Sequence, residues 1–293
     1  MTDTLATTRI GPAEFSWGER TYVMGIINAT PDSFSGDGLL ATDAPIDPVA
    51  TAVAQGRRMV EEGADLLDVG GESTRPGHAA VDGAEERQRV VPIVAGLRKA
   101  LPDTPISIDT TKPEVAAAAL DAGAHLVNDV WGVATDDGMA RLAAERGVAL
   151  IVMHNRAEPR YHDLMTELIA DLRLALARAT SLGVEPDRLI VDPGFGFGKT
   201  PEHNLTVLRD LAALRILGRP ILLGTSRKST LGRVLDLPVD ERLEGTLATT
   251  AIGIANGADI VRVHDVRENV RVARMSDAIV RGWRDDDAKE RSG

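Results

Sequence analysis

The amino-acid sequence predicts an α/β protein, a single (β/α)₈ TIM barrel with an N-terminal hairpin under the barrel. Eight short apolar segments alternate with longer, Ala-rich segments of helical period. Uninterrupted apolar strands are typical of parallel strands that are covered on both faces. The 293 residues suit one barrel of about 250 residues. We therefore predict one domain over residues 1–293, with the barrel at about 22–283.

The predicted strands share a composition rich in Val, Ile and Leu. They cover residues 22–27, 65–69, 106–108, 126–127, 149–153, 189–191, 221–223 and 259–263. A doubly wound open sheet is the alternative, and it usually carries a glycine-rich GxGxxG turn after its first strand. The corresponding turn reads NATPDSFSGDG, so the barrel is favoured.

The predicted helices carry residues that favour helix ends. They cover residues 48–62, 85–100, 113–122, 138–144, 164–182, 204–214 and 243–256. In the third, Thr111 is the predicted N-cap, Pro113 lies in the first turn and Gly123 ends the helix. Glycines that predict the ends of other helices are Gly63, Gly147, Gly183 and Gly257.

The two ends of the chain do not follow this repeat. Residues 9–21, RIGPAEFSWGERT, precede the first strand, and we expect them to form the hairpin under the barrel. The tail 285–293 is rich in charge, and we expect it to be mobile.

The composition excludes several kinds of function. The 44 acidic residues outnumber the 33 Lys and Arg residues, giving a net charge of −11, whereas a nucleic-acid binder shows a basic face. There are no cysteines, which excludes disulfides, thiolate metal sites and a cysteine nucleophile. No apolar run reaches the roughly 18 residues of a membrane span, and the first residues lack a signal-peptide core. We expect a soluble, cytoplasmic protein with no nucleic-acid or membrane partner.

Polar residues end nearly every predicted strand. Barrel enzymes carry their active sites at the carboxyl ends of the strands, so these side chains should converge on one rim. They are Asn28, Asp68, Asp109, Asn128, Asp129, His154, Asp192, Ser226, Arg262 and His264. A purely structural barrel needs no such ring, and we interpret it as a binding site.

One part of this ring suits a flat heterocycle. Asp109, Asn128 and Asp192 together present several acceptors and one amide donor. A ring with a 2-amino-pyrimidinone edge offers the matching N–H donors. Lys228 can add a donor from the other side, so we predict a bicyclic, nitrogen-rich ligand here.

Another part of the ring suits an anion. Arg262 and His264 alternate along the last strand, so both can point into the barrel mouth with Asn28 opposite. Such donors fit a phosphate or a diphosphate. The turn GTSRKST opens a further helix, where Ser226 and Ser229 either hold an anion or simply cap the helix.

Aromatic residues are concentrated in loops. Of the four phenylalanines, Phe34, Phe195 and Phe197 lie in predicted loops, where we expect them to flank a planar ligand. The loop DPGFGFGKT lacks the spacing of a P-loop, and the chain has neither an HExxH nor a GxSxG motif. These absences argue against a zinc hydrolase and a serine hydrolase.

Eight segments together resemble a known family. GIINATPDSFSGDG, DVGGESTRPG, SIDTTKP, NDVWG, VMH, DPGFGFGKTPEHN, GTSRKS and RVHDV occur in this order. They are similar to segments of the dihydropteroate synthases, folate-pathway enzymes of the pterin-binding barrel group, over about residues 22–283. The resemblance implies that 4-aminobenzoate displaces diphosphate from (7,8-dihydropterin-6-yl)methyl diphosphate to give 7,8-dihydropteroate. We expect an SN1-like displacement in which Mg²⁺ assists the departure of diphosphate.

The resemblance also implies site residues. The pterin would be held by Asp68, Asp109, Asn128, Met153, Asp192 and Lys228. The diphosphate would be held by Asn28, Arg262 and His264, with Asn28 also the Mg²⁺ ligand. The 4-aminobenzoate pocket would be formed by Thr74, Arg75, Pro76, Phe197 and Ser229. The catalytic residues would be Asp109, Asp192, Lys228, Arg262 and His264.

The family implies further properties and leaves two alternatives. Sulfonamides would compete with 4-aminobenzoate, and the chain would form a homodimer through late helices of the barrel. The first loop departs from the family pattern PDSFSDGG, because it reads PDSFSGDG and continues into a longer segment that still offers Asp32 and Asp37. The alternatives are a pterin-binding paralogue without catalysis, and a methyltransferase of the same barrel group that uses a methylated folate and a corrinoid protein.

Overall fold

The barrel is built from eight parallel strands. The computed structural model describes residues 5–29, 47–72, 81–131 and 137–283. The barrel strands are β3 (Tyr22–Asn28), β4 (Leu66–Gly70), β5 (Ile106–Asp109), β6 (Leu126–Asp129), β7 (Ala149–Met153), β8 (Leu189–Asp192), β9 (Leu222–Leu223) and β10 (Ile260–Val263). They form one parallel sheet in the order β8-β7-β6-β5-β4-β3-β10-β9. A bridge between Val191 and Ile221 joins the two edge strands, so the predicted barrel is confirmed.

Helices surround this sheet. They are α1 (Pro48–Glu61), α2 (Gly83–Ala100), α3 (Pro113–Asp121), α4 (Gly138–Arg146), α5 (Leu164–Ser181), α6 (Pro201–Arg209), α7 (Ser229–Leu235), α8 (Leu243–Ala255) and α9 (Val266–Val280). The glycines predicted to end helices, such as Gly63 and Gly123, have positive φ. Among the described residues, no helix is long and apolar enough to cross a membrane.

Three helix predictions were wrong in detail. The single helix expected over 204–214 is instead α6 followed by a 3₁₀ helix at Leu211–Leu217, because Asp210 leaves the helical conformation at φ −103° and ψ 17°. Lys112, not Thr111, precedes α3, since Pro113 takes the first helical position and forces the residue before it into an extended conformation. The prediction had also left α9 unassigned.

An N-terminal hairpin closes the bottom of the barrel, as predicted. Its strands, β1 (Thr8–Ile10) and β2 (Ala13–Phe15), pair antiparallel. Ile10, Phe15 and Trp17 are buried with the inward-facing residues of the barrel strands, among them Tyr22 and Met24. Trp17 donates its Nε1–H to Thr8 Oγ1 at 2.8 Å. The amino ends of the strands are therefore covered, which leaves the carboxyl ends for a site.

A larger core lies between the outside of the barrel and the helices. It includes Phe195, whose side chain is 1% exposed, so the prediction that this loop phenylalanine flanks a ligand was wrong. Phe34, Asp32, Asp37 and the tail 285–293 lie outside the described residues. The assignment of residues 1–293 to one domain stays a prediction.

Candidate active site

Strand register brings five of the predicted residues to one rim. Asn28 is paired with Gly70, Gly70 with Asp109, and Asp109 with Asn128 across neighbouring strands. On the next strands, Met153 is paired with Asp192. The rule that parallel strands end at the same rim therefore places this part of the ring correctly.

A buried ion-pair cluster lies at the centre of the rim. Arg262 donates from Nε to Asp68 Oδ2 at 2.5 Å and from Nη2 to Asp109 Oδ2 at 2.7 Å. Asn128 Nδ2 donates to the same Asp68 oxygen at 3.1 Å. The sequence analysis had grouped Arg262 with the diphosphate residues, but the guanidinium binds two carboxylates of the predicted pterin set. Its diphosphate role stays a prediction.

Each of these carboxylates also has a second buried oxygen. Asp68 Oδ1 and Asp109 Oδ1 have no hydrogen-bond partner among the described residues. A buried acceptor without a donor costs about 1–3 kcal/mol. Burial raises the pKa of Asp109 although the positive charge of Arg262 opposes this shift. The cluster is therefore suited to a ligand that brings N–H donors.

Asp192 supplies a further acceptor at the end of β8. Its Oδ1 accepts a hydrogen bond of 2.7 Å from the backbone N–H of Gly194. Burial raises the pKa of Asp192 to about 6, and the Gly194 bond and the charge of Lys228 act in the opposite direction. Asp192 is therefore mostly ionised at neutral pH.

Lys228 and Phe197 connect two of the predicted subsites. The Lys228 ammonium lies 4.0 Å from the centroid of the Phe197 ring, a cation–π contact. Lys228 belongs to the predicted pterin set, and Phe197 to the predicted 4-aminobenzoate set. Ser229 follows Lys228 as the first residue of α7, so the two pockets adjoin. Lys228 precedes α7 without a side-chain capping bond, so neither Ser226 nor Ser229 is its N-cap.

His264 is held by a serine that sequence analysis had assigned only to an anion or a cap. Ser226 Oγ lies 2.9 Å from His264 Nδ1 and accepts a hydrogen bond from the His264 backbone N–H at 3.2 Å. Ser226 is buried. The serine thereby fixes the imidazole at the end of β10, beside the Arg262 cluster.

A cavity opens beside Asp109 at this rim. It is lined by Glu72, Glu86, Asp109, Thr110, Thr111, Val130, Trp131, Asn155 and Phe197. Trp131 at the edge of this cavity is 45% exposed. Thr74, Arg75 and Pro76 of the predicted 4-aminobenzoate pocket lie outside the described residues, although their neighbour Glu72 is one of these lining residues.

The structure adds site residues that the sequence reasoning missed. Lys199 lies behind the loop that carries Asp192 and Phe197, and its Nζ contacts His154 Nδ1 at 3.0 Å. Asn204 accepts from Gly196 N and donates to Thr230 Oγ1, which connects this loop to α7. The GKT sequence was noted only for its likeness to a P-loop, and nothing in the spacing pairs Lys199 with a histidine 45 residues away.

Comparisons with known proteins show the family of this chain. Residues 24–264 match the family model described as pterin binding enzyme. The dihydropteroate synthase of Clostridium beijerinckii is 50% identical over 274 residues, which cover 93% of this chain and 99% of the relative.

Solved structures agree as well. The dihydropteroate synthase of Xanthomonas albilineans with 4-aminobenzoic acid is similar at a TM-score of 0.86 and 38% identity, covering 94% of this chain and 98% of that one. The Yersinia pestis enzyme with a sulfonamide drug complex has a TM-score of 0.85 and 37% identity, covering 94% and 99%. The chain therefore belongs to the pterin-binding enzymes and, among them, to the dihydropteroate synthases.

Proposed function

We propose that this enzyme condenses (7,8-dihydropterin-6-yl)methyl diphosphate with 4-aminobenzoate, releasing 7,8-dihydropteroate and diphosphate. One observation carries the proposal. Two buried carboxylates, each with one oxygen that has no donor in the described part of the chain, lie at the same rim as the Arg262 and His264 side chains at the end of β10. A pterin supplies the donors, and a diphosphate supplies the anion. The X. albilineans relative that holds 4-aminobenzoic acid supports the second substrate.

The pterin would lie against the acidic side of the rim. Asp109 and Asp192 would accept from its amino and ring N–H groups, and the amide of Asn128 would complete that edge. Lys228 would donate to the pterin oxygen, and Met153, 3% exposed at the end of β7, would pack against the ring. Asp68 would act from below by holding Arg262 and Asn128.

The chemical step is proposed to be SN1-like. The exocyclic C–O bond breaks first, which leaves positive charge on the pterin methylene and negative charge on the departing diphosphate. Asp109 and Asp192 stabilise the electron-poor pterin, while Arg262 and His264 stabilise the anion. The neutral nitrogen of 4-aminobenzoate then attacks the methylene carbon. The arylammonium that forms is acidic and gives its proton to water or to the released diphosphate, so no strong base is needed.

The residues present fit a magnesium ion that arrives with the diphosphate. Among the described residues, no group of three or more His, Asp or Glu side chains could hold a metal ion by itself. The side-chain oxygen of Asn28 is a hard ligand, and Mg²⁺ typically takes one or two protein ligands together with phosphate oxygens and water. When bound, Mg²⁺ would supply positive charge to the leaving diphosphate.

The 4-aminobenzoate pocket is proposed to lie around Phe197 and Ser229, with Thr74, Arg75 and Pro76 contributed by the loop after β4. Sulfonamides resemble 4-aminobenzoate in shape and charge, and the Y. pestis relative is known with such a drug. We expect sulfonamides to inhibit competitively. Inhibition that saturating 4-aminobenzoate fails to relieve would contradict this pocket.

The chain is also proposed to form a homodimer in the cytoplasm. Helices α8 and α9 pack together and expose large apolar side chains, including Ile252, Met275 and Ile279. Exposed apolar surface of this kind is typical of a protein interface. Light scattering should give twice the 31.2 kDa of one chain.

The decisive experiment measures diphosphate release with both substrates. Release should require 4-aminobenzoate and Mg²⁺ together, and 7,8-dihydropteroate should appear in equal amount.

Asp192→Asn should weaken pterin binding about 30-fold or more, because one acceptor becomes a donor. The exposed Asp187, beyond the opposite end of the barrel, gives the matched control Asp187→Asn. Tight pterin binding without condensation by folded protein would instead indicate a non-catalytic paralogue.

A further inference from the structure

A lysine outside the predicted ligand set holds the glycine-rich segment 192–200. Lys199 Nζ contacts the Gly194 carbonyl oxygen, the Phe197 carbonyl oxygen and His154 Nδ1, each at 3.0 Å. An ammonium group has three N–H donors and no acceptor. The three contacts therefore use its full donor capacity.

His154 is oriented to receive one of these donors. Its Nε2 lies 3.1 Å from Asp171 Oδ2, and Arg156 donates to the same oxygen at 2.7 and 2.9 Å. A carboxylate that accepts from Arg156 also accepts from the imidazole, so the proton of neutral His154 lies on Nε2. Burial lowers the pKa of His154 to about 4, and the positive charge of Lys199 also lowers it. Nδ1 is therefore the acceptor that faces Lys199.

The segment 192–200 lies directly on the backbone of residues 154–156. A Cβ atom at Gly194, where φ is +68°, would come 1.9 Å from the His154 carbonyl oxygen. A Cβ atom at Gly198, where φ is +53°, would come 2.3 Å from the Arg156 oxygen. Tyr161 donates its hydroxyl to the Gly198 oxygen at 2.8 Å. The segment is therefore packed tightly against residues 154–156 on one side. The hydrogen bonds of Lys199 to the Gly194 and Phe197 carbonyl oxygens then hold the segment against this backbone.

We propose that Lys199, oriented by His154 and Asp171, is a positioning residue that places Asp192 and Phe197 for pterin and 4-aminobenzoate. Its bond to the Gly194 carbonyl holds the turn whose N–H binds Asp192 Oδ1. Its bond to the Phe197 carbonyl holds the ring that contacts Lys228. This inference rests on the proposed function and adds to it a residue that touches neither substrate.

Charge gives the role a measurable property. Burial lowers the pKa of Lys199 to about 7; the carboxylates of Asp192 and Asp171 raise it, and the charge of Arg156 lowers it. Neutral His154 accepts a hydrogen bond from the ammonium group of Lys199. Lys199 therefore keeps its third donor below pH of about 7 and loses it above.

Protonation of Asp192 should weaken pterin binding as the pH falls. Asp192 is ionised above its pKa of about 6, and the positive charges of Lys228, Lys199 and Arg262 favour that form. Loss of the Lys199 charge raises the pKa of Asp192. Asp109, which belongs to the same predicted pterin set, has its pKa raised to about 7 by burial, so its protonation also weakens binding as the pH falls. The affinity for a pterin should thus fall on both sides of a maximum near pH 7, and Lys199 should influence both sides.

The test measures binding of pterin-6-carboxylate to the full chain by calorimetry from pH 5 to 9, without 4-aminobenzoate. Lys199→Met should weaken binding about tenfold to a hundredfold, the range of hydrogen bonds to charged groups. It should also reduce the decrease above pH 7 to the part that deprotonation of the pterin ring itself causes, and move the acidic decrease to higher pH. Asp171→Asn, which leaves Lys199 in place, should give a smaller loss, and the exposed Lys99→Gln should match the wild type. Circular dichroism and Tm establish that each variant is folded.

The outcomes separate the inference from the proposed function. A wild-type chain that fails to bind the pterin overturns the proposed function itself. Wild-type binding with an unchanged affinity in folded Lys199→Met overturns only the positioning role. An affinity loss that leaves the pH profile unchanged also overturns it, because packing alone would then account for the effect. If Lys199→Met does not fold, Asp171→Asn with a wild-type profile overturns the role.

Discussion

The guanidinium of Arg262 forms ion pairs with two carboxylates that β4 and β5 bring to the same buried place. Asp68 is fully buried, and Asp109 is raised in pKa by burial and by the Asp68 charge, against the effect of Arg262. The two aspartates raise the pKa of Arg262 in turn. Breaking a buried ion pair by removing one partner leaves an uncompensated charge, which costs more than the pair contributes.

We expect Arg262→Met to lower the free energy of unfolding by about 3–5 kcal/mol at pH 7. The loss should be smaller at pH 5, because without the arginine the pKa of Asp109 rises further and protonation removes the uncompensated charge. Urea denaturation at the two pH values measures both effects. Arg267→Met removes an exposed pair with Glu62 and should cost less than about 1 kcal/mol. Equal losses for the two variants would show that the buried Arg262 ion pairs contribute no more to stability than an exposed ion pair does.

Among the elements, the loop after β8 depends most on close backbone contact. Its glycines adopt positive φ, and one of them touches the carbonyl oxygen at the end of β7. The loop is thus fixed in place by the strand beside it, by Lys199 and by Asn204.

Gly194→Ala should destabilise the protein by about 3 kcal/mol and weaken pterin binding. The new Cβ would meet the His154 oxygen at 1.9 Å, and a positive φ adds about 1–2 kcal/mol for a non-glycine residue. Gly18 also has positive φ, +86°, but nothing lies within 4 Å of its Cβ position. Gly18→Ala should therefore show the φ cost alone, in thermal unfolding, and bind pterin as the wild type does. A pterin affinity equally low in both variants would contradict the argument.

The sequence predicted the strands better than the helices that follow them. Each barrel strand is a short run of apolar residues, and burial on both faces leaves a pattern that no surface helix shares. Helix α9 was not predicted, although its buried positions recur at helical spacing, and two of those positions are polar. Asn269 and Ser276 are buried, and Asn269 is satisfied by the Thr250 hydroxyl and the Asp265 carbonyl, partners that cannot be read from the sequence.

The sequence predicted that several candidate residues would share one rim, but it did not predict how their side chains pair. The rule that strands end at one rim brought Asp109, Asn128 and Asp192 together without any knowledge of the loops. It could not show that Arg262 would turn toward the carboxylates, because several rotamers of a long side chain reach different neighbours. The contact of Lys199 with His154 depends on the path of an entire loop, which no local pattern determines.

At the scale of the whole molecule, the barrel is closed at one end and open at the other. The hairpin of β1 and β2 fills the bottom with aromatic rings; those of Phe15 and Tyr22 lie 4.7 Å apart, and those of Trp17 and Tyr22 5.4 Å apart. The candidate site occupies the opposite rim. Substitutions in the aromatic cluster of Phe15, Trp17 and Tyr22 should therefore alter the stability of the protein without altering ligand contacts.

Trp17→Ala should lower the free energy of unfolding by about 3–5 kcal/mol, the usual cost of deleting a buried large aromatic side chain. Trp17→Phe keeps an aromatic ring and mainly loses the hydrogen bond to Thr8, for a smaller cost of about 1 kcal/mol. Chemical denaturation measures the stabilities, and KM for 4-aminobenzoate should stay at the wild-type value in both. A raised KM in a folded Trp17 variant would show that the floor and the rim are coupled.

The hydrogen bonds that hold the N-terminal hairpin have a consequence for the synthesis of the protein. Thr21, beside the hairpin, is bonded through its N–H and hydroxyl to Asp277 at 2.7 and 2.8 Å, and Arg281 donates to the Gly18 oxygen at 2.9 Å. Thr21 and Asp277 are 256 residues apart in the chain, so the ribosome synthesises the hairpin long before these partners. During that interval the nascent hairpin lacks the contacts that hold it to α9, and chaperones have time to bind it.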